Sequence, residues 1–152
     1  MAELECREEN GKIYLEGVIN ERWDFTEFLS GKSSPLTLHM KKVKRINSTG
    51  VRRWTEALYQ YPNMKIVLEH CPREIVDQCN MIPEFLGNRQ VRVVSFYAHY
   101  YSEDEDTEEV VLFEEGTHYT WGEGVTREPP VPEGMQLDDN PKKYFRFLTY
   151  FK

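Results

Sequence analysis

Two sets of residues in this chain have types and spacing suited to chemistry. The first runs Lys44, Arg45, Ile46, Asn47, Ser48, Thr49, Gly50, Val51, Arg52, Arg53, Trp54. Polar residues able to cap a helix come first, and Val51, Trp54, Leu58 and Tyr61 then recur at helical spacing. A helix is expected to start near Ser48 and to end near Tyr61, before Pro62 and Asn63. Asn47 or Ser48 can accept a hydrogen bond from the free donors of the first turn. Those donors, with the positive end of the helix dipole, favour an anion such as a phosphorylated hydroxyl. As a plain cap, either residue would contribute about 1 kcal/mol. The second set is His39, His70 and His99, each near the carboxyl end of an expected strand and on the edge where the Ser48 helix begins. Ligands gather at that edge of open α/β sheets, and three imidazoles could bind a metal or an anion there. Side chains alternate faces along a strand, so the three need not converge.

The chain offers little to an enzyme. Ser48 lacks a Gly-x-Ser-x-Gly elbow, Cys71 has no recognisable base, and neither a phosphate loop nor a histidine–carboxylate motif occurs. The three cysteines, Cys6, Cys71 and Cys79, match no metal-knuckle spacing, and their odd number fits a reducing compartment. A net charge of -7 repels phosphate backbones, so nucleic acid is not an expected partner unless the basic run Lys41, Lys42, Lys44, Arg45 is isolated on one face, and that run otherwise reads as a basic patch on the protein surface. No apolar run approaches membrane length. The expectation is a soluble, unexported, cytoplasmic chain without cofactor or metal.

The elements that must position these residues follow in order. Residues 1–10 are acidic without an apolar core, and residues 12–18 alternate as a first strand with one buried face. Residues 20–30 read as a helix with Trp23, Phe25, Phe28 and Leu29 on one side, stopped by Gly31. Residues 36–40 form a short second strand, closed by a basic loop to Arg45 that leads into the Ser48 helix. Residues 65–69 are almost continuously apolar, as in a parallel strand covered on both faces. Ile75, Val76 and Cys79 suggest a helix interrupted at Pro83, and residues 91–97 the next strand. Strands alternating with helices predict an α/β layer. Beyond it, residues 102–109 are an acidic loop, residues 110–113 and 119–121 flank a Glu115–Gly116 hairpin turn, and residues 128–134 are a proline-rich linker. Asn140 and Pro141 open a terminal helix whose Tyr144, Phe147, Leu148 and Phe151 form an aromatic stripe of the kind that packs into a core.

The order apolar strand, basic loop, then Ile46, Asn47, Ser48, Thr49, Gly50, Val51 resembles the signature of STAS domains, the fold of the anti-sigma factor antagonists, in which Asp-Ser-Ser/Thr-Gly opens a helix. The resemblance covers roughly residues 11–100. It departs at Asn47, where the family carries Asp, and at His39, where the preceding strand often carries Asp or Asn. It implies a STAS-like, mixed or mostly parallel sheet covered by helices over residues 1–100, with an extension of a β-hairpin and a terminal helix over residues 101–152. That extension resembles a zinc ribbon that has lost its ligands. Its first knuckle would fall at Ser102 and Glu105 and its second near Glu128 and Val131, while the closing aromatic motif stands as Tyr144, Phe145, Arg146, Phe147, Leu148. A structural zinc needs four Cys or His donors, so none is expected in the tail.

What the resemblance implies for function is a non-enzymatic bacterial regulatory module. Ser48 would be the residue phosphorylated by a partner kinase, with Thr49 as second choice, and Arg45, Asn47, Gly50, Arg52 and Arg53 would complete a surface for an anti-sigma kinase-like ATPase. Phosphorylation would break that complex by adding roughly two negative charges. Two other readings stay open: a constitutive scaffold or dimerisation module that keeps the surface without the switch, and a ligand or metal site at His39, His70 and His99.

Overall fold

A computed structural model describes residues 4–151. Its first element is one the acidic composition hides. Glu5–Glu9 forms a strand, β1, antiparallel to β2 (Lys12–Ile19), with Glu9 opposite Lys12. Asn10 and Gly11 join them with φ of 52° and 78°, the positive values a tight two-residue hairpin needs. The Asn-Gly pair was the sequence signal for this hairpin. All five β1 side chains are exposed, so hydrophobic patterning could not reveal the strand. Of the acidic amino-terminal segment, residues 1–3 lie outside the described residues.

Parallel pairing carries the sheet onward through β3 (Leu36–Ile46), β4 (Ile66–Glu69) and β5 (Val91–Val93), in the order β1-β2-β3-β4-β5. β3 is 11 residues long, not the five of residues 36–40, and Lys41, Lys42, Lys44 and Arg45 belong to the strand rather than to a loop. They take its exposed positions while Val43 stays buried, and irregularities in the β2–β3 register absorb the mismatch up to Ile19 opposite Ile46. One face of the sheet is apolar: Ile13, Leu15, Leu38, Met40, Ile66, Leu68, Val91 and Val93 are all buried. The other carries Lys12, Tyr14, Thr37, His39, Val67 and Arg92 at half-buried or exposed positions, so β4 is not covered on both faces as its apolar run suggested.

Helix α1 is confined to Phe25–Leu29, shorter than residues 20–30. Asn20 turns the chain back on itself by accepting from the Arg22 and Trp23 backbone, and Asp24 caps the helix by accepting from Glu27 N. Helix α2 spans Ser48–Gln60, close to the expected bounds. Its Trp54 is fully buried, stacked between Phe25 and Phe85 at centroid distances of 4.2 and 4.6 Å, and its indole N–H donates to the Phe85 carbonyl. Helix α3 (Arg73–Met81) gives way at Pro83 to a 3-10 turn, Pro83–Leu86.

The expected strand over residues 91–97 is divided at Val94. There β6 (Ser95–Ser102) leaves the first sheet and pairs antiparallel with β7 (Thr107–Glu114). The 110–113 segment therefore pairs back across the acidic turn, not forward with residues 119–121. β8 (Tyr119–Thr120) pairs instead with β9 (Gly124–Val125), and β10 (Gln136–Leu137) adds to the far edge of β6. At the two would-be zinc-knuckle positions of the turn, Ser102 Oγ accepts from Glu105 N. The terminal helix is brief: α4 (Pro141–Tyr144), capped by Asn140, changes at Phe145 into a 3-10 turn, Arg146–Thr149. That change lets Tyr144, Phe147 and Leu148 all enter the core. Asn80 of α3 fixes the result, its Nδ2 donating to Tyr144 O and its Oδ1 accepting from Phe147 N, each at 2.8 Å. Tyr144 also donates its hydroxyl hydrogen to Tyr97 O. The buried residues of all three sheets form one continuous cluster, and the position between residues 100 and 101 falls within β6. Among the described residues, no helix is long and apolar enough to cross a membrane.

Candidate functional site

The start of α2 is shaped by Asn47. Its Oδ1 accepts from Gly50 N at 2.8 Å, its Nδ2 donates to Glu21 Oε2 at 3.0 Å, and its backbone N donates to Ile19 O at 3.1 Å. Asn47, not Ser48, is thus the cap. Gly50 is there for contact: a Cβ at this position would sit 2.7 Å from Ile19 O, so close that backbone would have to shift to admit it. Ser48 is exposed and Thr49 half-buried. The hydrogen bond from Asn47, and then one from Glu21's own backbone, lower the Glu21 pKa, so a carboxylate already stands beside the helix start.

The three arginines of the expected surface do not share one spot. Arg45 lies at the end of β3, where with Lys44, Ile46 and Asn47 it lines one wall of a groove of about 700 Å³. Glu74, Asp77, Gln78 and Met81 of α3 form the other wall. Burial, then Asp139, raises the Asp77 pKa. Arg52 is exposed, 3.9 Å from Glu56 one turn along α2, and Arg53 is half-buried.

The imidazoles sort differently. In the β3–β4 register His39 stands directly opposite Glu69, and in the β2–β3 register opposite Tyr14. His39 Nδ1 donates to Glu69 Oε2 at 2.7 Å, since an ionised carboxylate can only accept. Lys12 Nζ holds the other oxygen, Oε1, at 2.9 Å. His70 follows β4 with a left-handed φ of 54°, its backbone N–H held by Ser95 Oγ at 2.7 Å. This brings its ring to 4.5 Å from that of His39, and its Nδ1 to 3.8 Å from Glu69 Oε2. His70 Nδ1 is buried and makes no hydrogen bond. Burial, then the neighbouring His39, lowers the His70 pKa and favours a neutral ring. At Glu69 burial pushes the pKa up, but the hydrogen bonds from His39 and Lys12 outweigh it and the net shift is downward. The donor set is two imidazole nitrogens and one carboxylate oxygen, the atoms all within 4.8 Å of one another. A cleft of about 330 Å³, lined in part by Arg7, Tyr14 and Lys41, opens beside His39.

His99 is not part of this group. It sits on β6 opposite Val110, and its carbonyl accepts from Asp138 N. Nor do the imidazoles share an edge with Ser48. β3 runs seven residues beyond His39 to Ile46, on the order of 20 Å at strand rise. Sequence reasoning missed Glu69, Lys12 and Tyr14. The available signal was a charged residue closing an apolar strand, which when buried calls for partners.

No family model, curated protein or solved structure matches this chain.

Proposed function

We propose that the chain is a regulatory protein-interaction module of the anti-sigma factor antagonist type, working through the surface at the start of α2. The observation that carries the reading is a side-chain-capped helix following a parallel strand, with a hydroxyl exposed in its first turn. Ser48 is open to a kinase, and Gly50 lets the helix start press against the end of β2. The partner would be an ATPase of the anti-sigma kinase type, touching Asn47, Ser48 and Thr49 with Arg45, Arg52 and Arg53 around them. The role is non-enzymatic, bacterial and cytoplasmic. Phosphate on Ser48 would add roughly two charges where Glu21 already contributes one, a repulsion fit to release a partner.

One observation favours a second reading, a constitutive scaffold. Where the family has an Asp, Asn47 is tied to Glu21, and a fixed carboxylate beside Ser48 makes the corner less hospitable to phosphate. Affinity capture from the native host separates the two readings, using wild type, Ser48→Asp and Ser48→Ala, with intact mass before and after phosphatase. Switching predicts a phosphatase-sensitive mass increment on Ser48, an ATPase captured by wild type and Ser48→Ala, and no capture by Ser48→Asp. An unmodified mass with equal capture by all three proteins overturns the switch and leaves the scaffold.

A further inference from the structure

We infer that His39, Glu69 and His70 form a binding site for a divalent first-row transition cation, independent of the Ser48 surface. Two imidazoles and a carboxylate are ligands that zinc, iron(II), cobalt(II) and nickel(II) all accept, whereas calcium and magnesium prefer sites built from oxygen alone. The three candidate atoms, one from each residue, converge from two adjacent strands within 4.8 Å. His70 Nδ1 supplies the independent sign of a missing partner, a buried nitrogen with no hydrogen bond aimed toward Glu69 Oε2 from 3.8 Å. Buried polar atoms in native folds are seldom left unsatisfied, and a cation bound there would satisfy this one.

The surroundings fit a held ion. Lys12 takes Glu69 Oε1 and leaves Oε2 directed at both imidazoles, which orients the carboxylate as an outer-shell group does. Tyr14 packs on the far side of His39 with ring centroids 4.6 Å apart, and the ring of Tyr97 lies 5.9 Å from that of His70. His39 would bind through Nδ1 as its other neutral tautomer, the proton now shared with Glu69 moving to Nε2. Three protein ligands leave at least one coordination position to water.

The test is calorimetric titration of the full chain with zinc and with cobalt(II) near neutral pH, beside His39→Phe, His70→Asn, His99→Ala and Cys6→Ser. His39→Phe keeps the ring stack, and His70→Asn keeps a residue that tolerates the left-handed backbone. The site predicts one saturable equivalent in wild type, unchanged in His99→Ala and Cys6→Ser. Each of the other two variants should weaken it by at least about tenfold, the loss that removing even an outer-shell partner causes. Absent stoichiometric binding, wild-type affinity in His70→Asn, or loss of binding in Cys6→Ser overturns the site. Should the histidine variants fail to fold, cobalt-induced paramagnetic shifts in wild type decide: shifts of the His39 and His70 ring protons support it, and shifts centred on His99 or His118 overturn it.

Discussion

At the Ser48 corner the defining hydrogen bond joins residues three apart, Asn47 to Gly50, and the cap is a property of one short stretch of chain. The His39–Glu69–His70 cluster is assembled from β3 and β4 and steadied by Lys12 from β2, so it exists only when three strands are in register. The difference teaches where robustness lies. A contiguous motif survives changes elsewhere, whereas a cluster spread over strands depends on every pairing between them, since a one-residue slip turns each side chain to the opposite face.

Breaking the contiguous corner is hardest on stability where it touches another element. Gly50→Ala drives a Cβ into the Ile19 carbonyl and should cost about 3 kcal/mol by chemical denaturation, near the upper end for overpacking. A cost below about 1 kcal/mol would show that α2 can shift away from β2 freely. In the cluster, Glu69→Ala strips the acceptor from His39 and Lys12 at once and should cost about 2 kcal/mol, in the range of charged hydrogen bonds. If the Glu69→Ala variant melts like wild type, the three-strand network adds nothing to the fold. Asn47→Ala removes the cap and should cost about 1 kcal/mol. Ser48→Ala is the smallest effect and sharpens the contrast. Because Asn47 does the capping, the substitution should change stability by less than about 0.5 kcal/mol, as surface changes away from such features do. A loss of the size expected at Asn47 would mean that Ser48 caps the helix in solution.

Much of the α/β layer was legible because its signals are local. Val51, Trp54 and Leu58 at helical spacing, Asn47 ahead of them, and alternation over Lys12–Ile19 each report on their own few residues. The Asn10–Gly11 turn was equally local, but it joined a strand with no buried face and passed unread. The extent of β3 was less accessible, because a basic run looks like a loop until pairing with β2 satisfies its backbone up to Ile46. Pairing choice misled for the same reason: residues 110–113 could turn toward Tyr119 or back to β6, and the Phe96–Phe113 stack at 5.1 Å in the core belongs to the second option.

By itself the sequence determined a helix starting near Ser48 with Asn47 or Ser48 as its cap, parallel pairing of strands separated by helices, and an aromatic stripe of the kind that packs into a core. These follow from propensity, capping and periodicity, which act over a few residues. Only the tertiary structure decided that Asn80 would clasp the tail, that β6 would leave the first sheet at Val94, and that His39 and His70 would meet over Glu69 while His99 would not. Such meetings depend on strand register and crossover, set by how the whole apolar surface is buried at once, and no local stretch carries that information.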